Sequence, residues 1–295
     1  DDWFIGKTIC NKGVPKEISD LTVSFNACSI SSLQALFEKY PNQIAAVITE
    51  PEKPYCSNCS CLLSSGDYLQ QAIEFTQENG AVFILDEMVS GFKVDFPGAI
   101  SKYNLNPDLA TWGKGIANGF SFCALTGKKD IMDLGGILNK GEEKVFLISS
   151  THGGETNAIR AGLKTIEEFK DNNVIDHIHA KGDELIKKTK ALIEEKKLTK
   201  FIEITPCPWM VSFVFKNKEG EICNGHRTYF MQRMIENNVL FQGIFVPCFS
   251  HGKNEINAFL KAFNLSLNDY NKMIYLGFEK KLKEKPILNV FRKYN

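Results

Sequence analysis

Two short apolar runs, IAAVIT at residues 44–49 and AVFILD at residues 81–86, most restrict how this chain can fold. Each is nearly continuous rather than alternating, which is how a strand covered on both faces of a parallel sheet reads. Helical periods surround them. In SLQALFEKY (32–40) Leu33, Leu36 and Phe37 share a face, with Ser31 or Ser32 as N-cap and Pro41 and Asn42 as the stop. From Asp67 to Asn79 the apolar stripe is Leu69, Ala72, Ile73 and Phe75, and Gly80 suits a C-cap. Helix, strand, helix, strand with short connections predicts right-handed βαβ units and an open, mostly parallel α/β sheet flanked by helices. DLATW (108–112), FCALTG (122–127) and VFLISST (145–151) continue the series of strands.

Beyond Glu155 the pattern changes. A long helical region runs from about residue 156 to 196, broken near Asn172 and Asn173. WMVSFVF (209–215) then alternates like an antiparallel strand, and helical spacing returns at 226–237, 253–263 and 266–284. The expected organisation is a large sheet domain over residues 1–165, followed by a linking helix and a smaller C-terminal α+β domain over 166–295.

Charge and composition exclude several functions. Lys plus Arg and Asp plus Glu both number 35, so no excess of positive charge favours nucleic acid as a partner. No apolar run approaches the length that spans a membrane. The opening DDWFIGKTIC lacks the basic region and apolar stretch of a secretory signal, and nine scattered cysteines read as reduced thiols of a cytoplasmic protein. Cys56, Cys59 and Cys61 form one tight group, but no second pair stands at metal-ligand spacing, so a plain loop is expected and no metal. Cys123 reads as a small buried hydrophobe.

The chemistry concentrates where strands end. In open α/β sheets ligands bind beyond the carboxyl ends of the strands. Glu50 follows IAAVIT, Asp86 ends AVFILD, and Lys114 follows DLATW, set between Gly113 and Gly115. Taken singly, an acid after a strand reads as a cap or ion pair, and a lysine between glycines as a surface turn. One cofactor accounts for two of them jointly. Pyridoxal phosphate needs a lysine amine for its aldehyde and a carboxylate that keeps its pyridine nitrogen protonated, so that the ring acts as an electron sink. Lys114 suits the first role, with glycines that let a ring approach, and Asp86 the second.

AAVITEP, AVFILDEMVSGFKV, PDLATWGKGIANGFSFCALTGKKDIMD and STHGGETNAIRAGL resemble, in content and order, the class III aminotransferases, with the greatest likeness to the glutamate-1-semialdehyde 2,1-aminomutase group. FMQRMIENNVLFQGIFVPCFSHGKNEI carries the likeness into the C-terminal part. The resemblance implies a fold-type-I pyridoxal-phosphate-transferase architecture and an amino-group transfer, either between two molecules or between adjacent carbons of one. It implies that Lys114 forms the Schiff base and shuttles protons, that Asp86 pairs with the pyridinium nitrogen, and that Met88 packs on one ring face. By the same likeness Thr151 reaches the phosphate of a neighbouring subunit's cofactor in a homodimer, Glu50 is a polar residue near the site, and Ser90, Gly113 and Gly115 lie close by. Family members extend further at the N-terminus, where they carry the phosphate-binding loop and a ring-stacking aromatic. This keeps a second reading in view, a catalytically incomplete chain that serves only as a partner subunit. A nucleotide-binding α/β protein is a third, without a Gly-x-Gly-x-x-Gly after an early strand to support it.

Overall fold

The computed structural model describes residues 8, 10–27, 29–52, 66–136, 143–145, 153–278 and 281–288. The chain divides into two compact units, one of Phe25–Asp176 and one of Asp1–Ser24 together with His177–Asn295. A short helix α1 (Lys16–Asp20) belongs to the latter.

The Phe25–Asp176 unit alternates as its apolar runs require. Helix α2 (Ile30–Lys39) leads to β1 (Ala46–Thr49), α3 (Gly66–Glu78), β2 (Val82–Asp86), the short α4 (Ala99–Lys102), β3 (Leu109–Trp112), β4 (Ala124–Gly127), α5 (Lys129–Met132) and α6 (Thr156–Asp171). The strands form one sheet in the order β1-β2-β3-β4; the first two pairings are parallel and the last is antiparallel. Phe83 and Leu85 of β2 are fully buried against Leu33 of α2 and Leu69 and Ile73 of α3. Each such side chain contributes roughly 1.5–3 kcal/mol by leaving water. Asp108 ties the start of β3 to its neighbours: Oδ2 accepts the Phe83 N–H at 2.7 Å, and Oδ1 accepts from Lys128 at 2.7 Å and Gln77 at 3.2 Å. Burial pushes the Asp108 pKa up, but these donors outweigh it and hold the carboxyl below its usual range.

Three local expectations are corrected. The N-cap of α2 is Ser29, whose side chain accepts the Ser32 N–H, so the helix starts earlier than the cap expected at Ser31 or Ser32. Strand β1 is covered on one face only among the described residues, with Val47 and Thr49 buried and Ala46 and Ile48 exposed. Cys123 is exposed, lying just before β4, whose own residues are mostly open. The expected strand at 145–151 lies, from residue 146 on, outside the described residues.

In the other unit α7 (Val174–Glu195), which begins just before the division, precedes β5 (Ile202–Ile204), β6 (Val211–Phe215), α8 (Asn224–Glu236), β7 (Ile244–Phe245) and α9 (Lys253–Leu276). The three strands pair antiparallel in the order β5-β6-β7, and a core rich in phenylalanine, including Phe213, Phe230, Phe241 and Phe263, fills the space between sheet and helices. The two helices expected at 253–263 and 266–284 are one. Phe259, Phe263, Leu267, Tyr270 and Ile274 make a continuous buried stripe through Asn264 and Leu265, and Gly277, at φ 79°, ends it.

Two helical glycines differ in what surrounds them. A Cβ on Gly182 of α7 would lie 1.9 Å from the Pro208 carbonyl oxygen, whereas one on Gly162 of α6 would meet the Phe122 ring at ordinary contact distance, 3.4 Å. Gly182→Ala is therefore expected to cost about 1–3 kcal/mol through overpacking. Gly162→Ala should gain about 0.5–1 kcal/mol from reduced backbone freedom. Urea denaturation checks the pair; midpoints that move in the same direction contradict the packing described.

Candidate active site

The parallel register sets the site. Asp86, the last residue of β2, pairs with Thr111 of β3, and Lys114 follows three residues later. Asp86 is half-buried. Its Oδ1 accepts the Met88 N–H at 3.0 Å and the Thr111 hydroxyl at 2.9 Å, while Oδ2 has no partner among the described residues. Two donors on one oxygen orient the carboxylate and leave the other oxygen as an acceptor.

Met88 links this acid to the lysine loop. A Cβ at Gly113 would sit 2.7 Å from both Sδ and Cε of Met88, so the methionine fills the space that the glycine leaves. A Cβ at Gly115 would in turn meet Phe92 Cβ at 3.4 Å and Lys93 Nζ at 3.5 Å. The openings beside the two glycines thus admit side chains of the 88–93 segment, a different use from the ring approach expected of them. Lys114 opens a 3₁₀ turn, Lys114–Ile116, with φ at 48°, a left-handed conformation that costs a non-glycine residue roughly 1–2 kcal/mol. Buried anchors hold it there. Trp112 donates from Nε1 to Thr126 Oγ1 at 2.8 Å, Ile116 N–H bonds back to the Gly113 carbonyl at 3.2 Å, and Ile116 and Ala117 are in the core. The Lys114 side chain itself is exposed, and among the described residues it makes no ion pair.

Glu50 is half-buried just beyond the last β1–β2 pair, Thr49 with Leu85, at the same end of the sheet as Asp86. Ser90 is committed elsewhere: its hydroxyl donates to Glu87 Oε2 at 2.5 Å. Thr151, with the neighbouring His152, lies outside the described residues, as do Cys56, Cys59 and Cys61.

Three participants were not legible in the sequence. Thr111 looks like any strand threonine until the register with Asp86 is known. Glu87 is fully buried, and its Oε1 accepts the Ile100 N–H at 2.9 Å. The backbone closes on it so tightly that a Cβ on Gly98 would lie 2.6 Å from its carboxyl group. Glu52, rather than Glu50, is the buried acid of the TEPE stretch; Lys102 Nζ donates to it at 2.7 Å and the Tyr103 hydroxyl bonds the same oxygen. Strand alternation was the available signal for Glu87, since consecutive acids at a strand end point to opposite faces.

An oriented carboxylate with an open oxygen, and an amine without an ion pair among the described residues, thus lie at the ends of adjacent parallel strands, the two groups that pyridoxal phosphate would call for. The described residues fit that cofactor at its ring nitrogen and its aldehyde. The family profile "Aminotransferase class-III" matches residues 11–263, and the chain belongs to that family. It is 28% identical over 275 residues to 3-aminobutyryl-CoA aminotransferase of Cloacimonas acidaminovorans, covering 92% of this chain and 63% of that protein. It is 34% identical over 180 residues to glutamate-1-semialdehyde 2,1-aminomutase of Francisella tularensis, covering 59% of this chain and 38% of that protein. The chain thus spans less than two thirds of the length of these relatives. Among solved structures it resembles a transaminase with bound pyridoxal phosphate (TM-score 0.76, 19% identity, 90% of this chain and 61% of that one). An omega-transaminase from Sphaerobacter thermophilus gives a TM-score of 0.73 at 20% identity, over 88% of this chain and 60% of that one. The likeness confirms the mostly parallel α/β architecture. No described helix is long and apolar enough to cross a membrane.

Burial raises the pKa of Glu87, against bonds from Ser90, Ile100 and Ala99 that lower it, and nearby Glu52 adds to the rise. A carboxyl whose folded pKa is raised binds more protons folded than unfolded, so it favours the folded state at low pH. Stability should fall as pH climbs from the ordinary value of 4.5 to the higher folded value of Glu87. Glu87→Gln keeps an acceptor for the Ile100 N–H and removes the titration. Its melting temperature should be flatter than wild type across that window, and parallel curves would contradict this assignment.

Proposed function

We propose that this chain catalyses, within its full protein, a pyridoxal-5'-phosphate-dependent amino-group transfer, with Lys114 as the amine for the aldehyde and Asp86 as the carboxylate for the ring nitrogen. The observation that carries this reading is Asp86, aimed by Met88 and Thr111 through Oδ1 with Oδ2 left open. When bound, the cofactor supplies a protonated ring that stores the electron pair left by a broken substrate C–H bond. Asp86 holds the proton at the ring nitrogen. The Lys114 amine would take the substrate's α-proton as general base and return it at another position. Its exposure and its separation from counter-ions among the described residues keep the amine available for both tasks. Met88, wedged against Gly113, is assigned to one ring face, and Glu50 to the polar edge near the end of β1. The Phe25–Asp176 unit is read as part of the cofactor-binding domain and the other as the small domain.

We further assign Thr151 to the phosphate side, reached from a second copy in a homodimer, and place the protein in the cytoplasm; the likeness of its STHGGETNAIRAGL stretch to the family motivates the first, and the free thiols Cys123, Cys223 and Cys248 are in keeping with the second. A role as partner subunit alone gains no support from a site that keeps both the acid and the lysine.

Mixing the full chain with pyridoxal 5'-phosphate should produce an absorption band at the edge of the visible, which Lys114→Ala abolishes. Activity in Lys114→Ala should drop at least about a hundredfold. A wild-type protein without that band refutes the reading. The two relatives' names correspond to intermolecular transfer and to an intramolecular shift. Incubation with glutamate-1-semialdehyde, with and without an external keto acid, separates them. Transfer between molecules is the expected result if turnover requires the keto acid, and turnover without it establishes the intramolecular shift.

A further inference from the structure

Both donors that aim Asp86 are fixed by one neighbouring residue. Asp86 Oδ1 accepts the Met88 N–H, two residues on, so Glu87 is the centre of a side-chain-to-backbone turn. The other donor is the Thr111 hydroxyl, and the carbonyl of the same Thr111 accepts the Glu87 N–H at 3.0 Å. The direction of the Met88 N–H and the seat of Thr111 therefore both depend on how Glu87 sits. Glu87 is bonded at each of its polar atoms. Its carbonyl accepts the Gly91 N–H at 2.9 Å, Oε2 accepts the Ser90 hydroxyl at 2.5 Å, and Oε1 accepts the Ile100 N–H of α4 at 2.9 Å. The chain closes around it at two glycines: a Cβ on Gly91 would lie 2.7 Å from the Glu87 carbonyl oxygen, and one on Gly98 2.6 Å from its carboxyl group. The charged groups that act on it are Glu52, from beyond β1, and Lys93, from the turn after β2. Burying a carboxyl is costly, and here the same two oxygens join two separate segments, which an apolar side chain cannot do.

We propose that Glu87 is a positioning residue for the amino-group transfer: its carboxyl group, spanning Ser90 and Ile100, holds the 86–88 turn and Thr111 so that Asp86 keeps Oδ1 occupied and Oδ2 open for the ring nitrogen of pyridoxal phosphate. The inference rests on the proposed pairing of Asp86 with that nitrogen. Glu87 acts through Asp86 and not on the reacting atoms. Its part is one of reach rather than charge, because each of its oxygens takes a donor that fixes a different stretch of chain. If the span is cut, the middle of the turn is released, and with it the Met88 N–H and the Thr111 carbonyl that share Glu87 as neighbour. A carboxylate that swings loses part of its hold on a proton at the ring nitrogen.

Pyridoxal 5'-phosphate isotope-labelled at its ring nitrogen and bound to the full chain tests this by nuclear magnetic resonance, since the resonance reports whether that nitrogen carries a proton. The readout is the pH at which the proton is lost, which a loss of stability alone does not move. Wild type should keep the proton to a higher pH than Asp86→Asn, because an opposite charge beside a cation raises its midpoint by about one to three pH units. Glu87→Gln, which retains the reach and removes the charge, should keep the wild-type midpoint. Glu87→Asp retains the charge but is too short to span Ser90 and Ile100, and should lower the midpoint by about one unit, toward that of Asp86→Asn. Ser90→Ala cuts the same span from its other end and is read with the same expectation should Glu87→Asp not fold. A wild-type midpoint in the variant with the cut span, or a Glu87→Gln midpoint as low as that of Asp86→Asn, overturns the proposal while leaving the pairing of Asp86 intact. A midpoint common to wild type and Asp86→Asn, or a wild type that binds no labelled cofactor, refutes that pairing and this inference with it.

Discussion

The parallel pairing of β2 with β3 is the interaction on which the site depends. It sets Asp86 opposite Thr111, so one hydroxyl can steady the carboxylate, and it brings the chain after β3 to the same end of the sheet. A slip of one residue would turn every side chain of a strand to the other face, taking Thr111 away from Asp86. The register is held from the far end as well. Asp108 binds the Phe83 N–H, Lys128 and Gln77, fastening the starts of β2 and β3 together. One end of the sheet is therefore bound by a satisfied, low-pKa acid, and the other ends in an acid with an unused oxygen.

Two neighbouring acids at that end have opposite environments. Asp86 is half-buried and still open on one oxygen; Glu87, one residue on, is fully enclosed and receives donors from Ser90 and Ile100. Alternation along the strand separates them, and burial does the rest. The same segment then passes Met88 to Gly113 and Lys93 to Gly115, so the glycines around Lys114 act as sockets for the turn after β2. The acid and the lysine are coupled mechanically through this turn.

Most of the frame could be read from the chain because its signals are local. IAAVIT, AVFILD and DLATW are apolar runs between clear breaks, and they are β1, β2 and β3 in parallel order except for the antiparallel β4 that follows. Strand β5 went unread because three residues after a long helix give no period to detect. The gap expected between the helices at 253–263 and 266–284 is absent, because burial of Phe263 and Leu267 carries α9 through it. Asp86 and Lys114 stood out by residue type and place. Thr111, Glu87 and Glu52 did not, since each acquires its place from contacts between segments that the sequence does not bring together.

The left-handed backbone at Lys114 has an evolutionary consequence. Glycine and asparagine adopt that conformation at little cost, and lysine occupies it against its own preference. Under the proposed function, the demand for the amine itself is what keeps lysine there. In a lineage that had lost the chemistry, replacement of this lysine by glycine or asparagine would relieve the backbone, so drift should erase it early. Under the proposed function, the residue at position 114 would thus be a built-in record of whether selection on the reaction has continued.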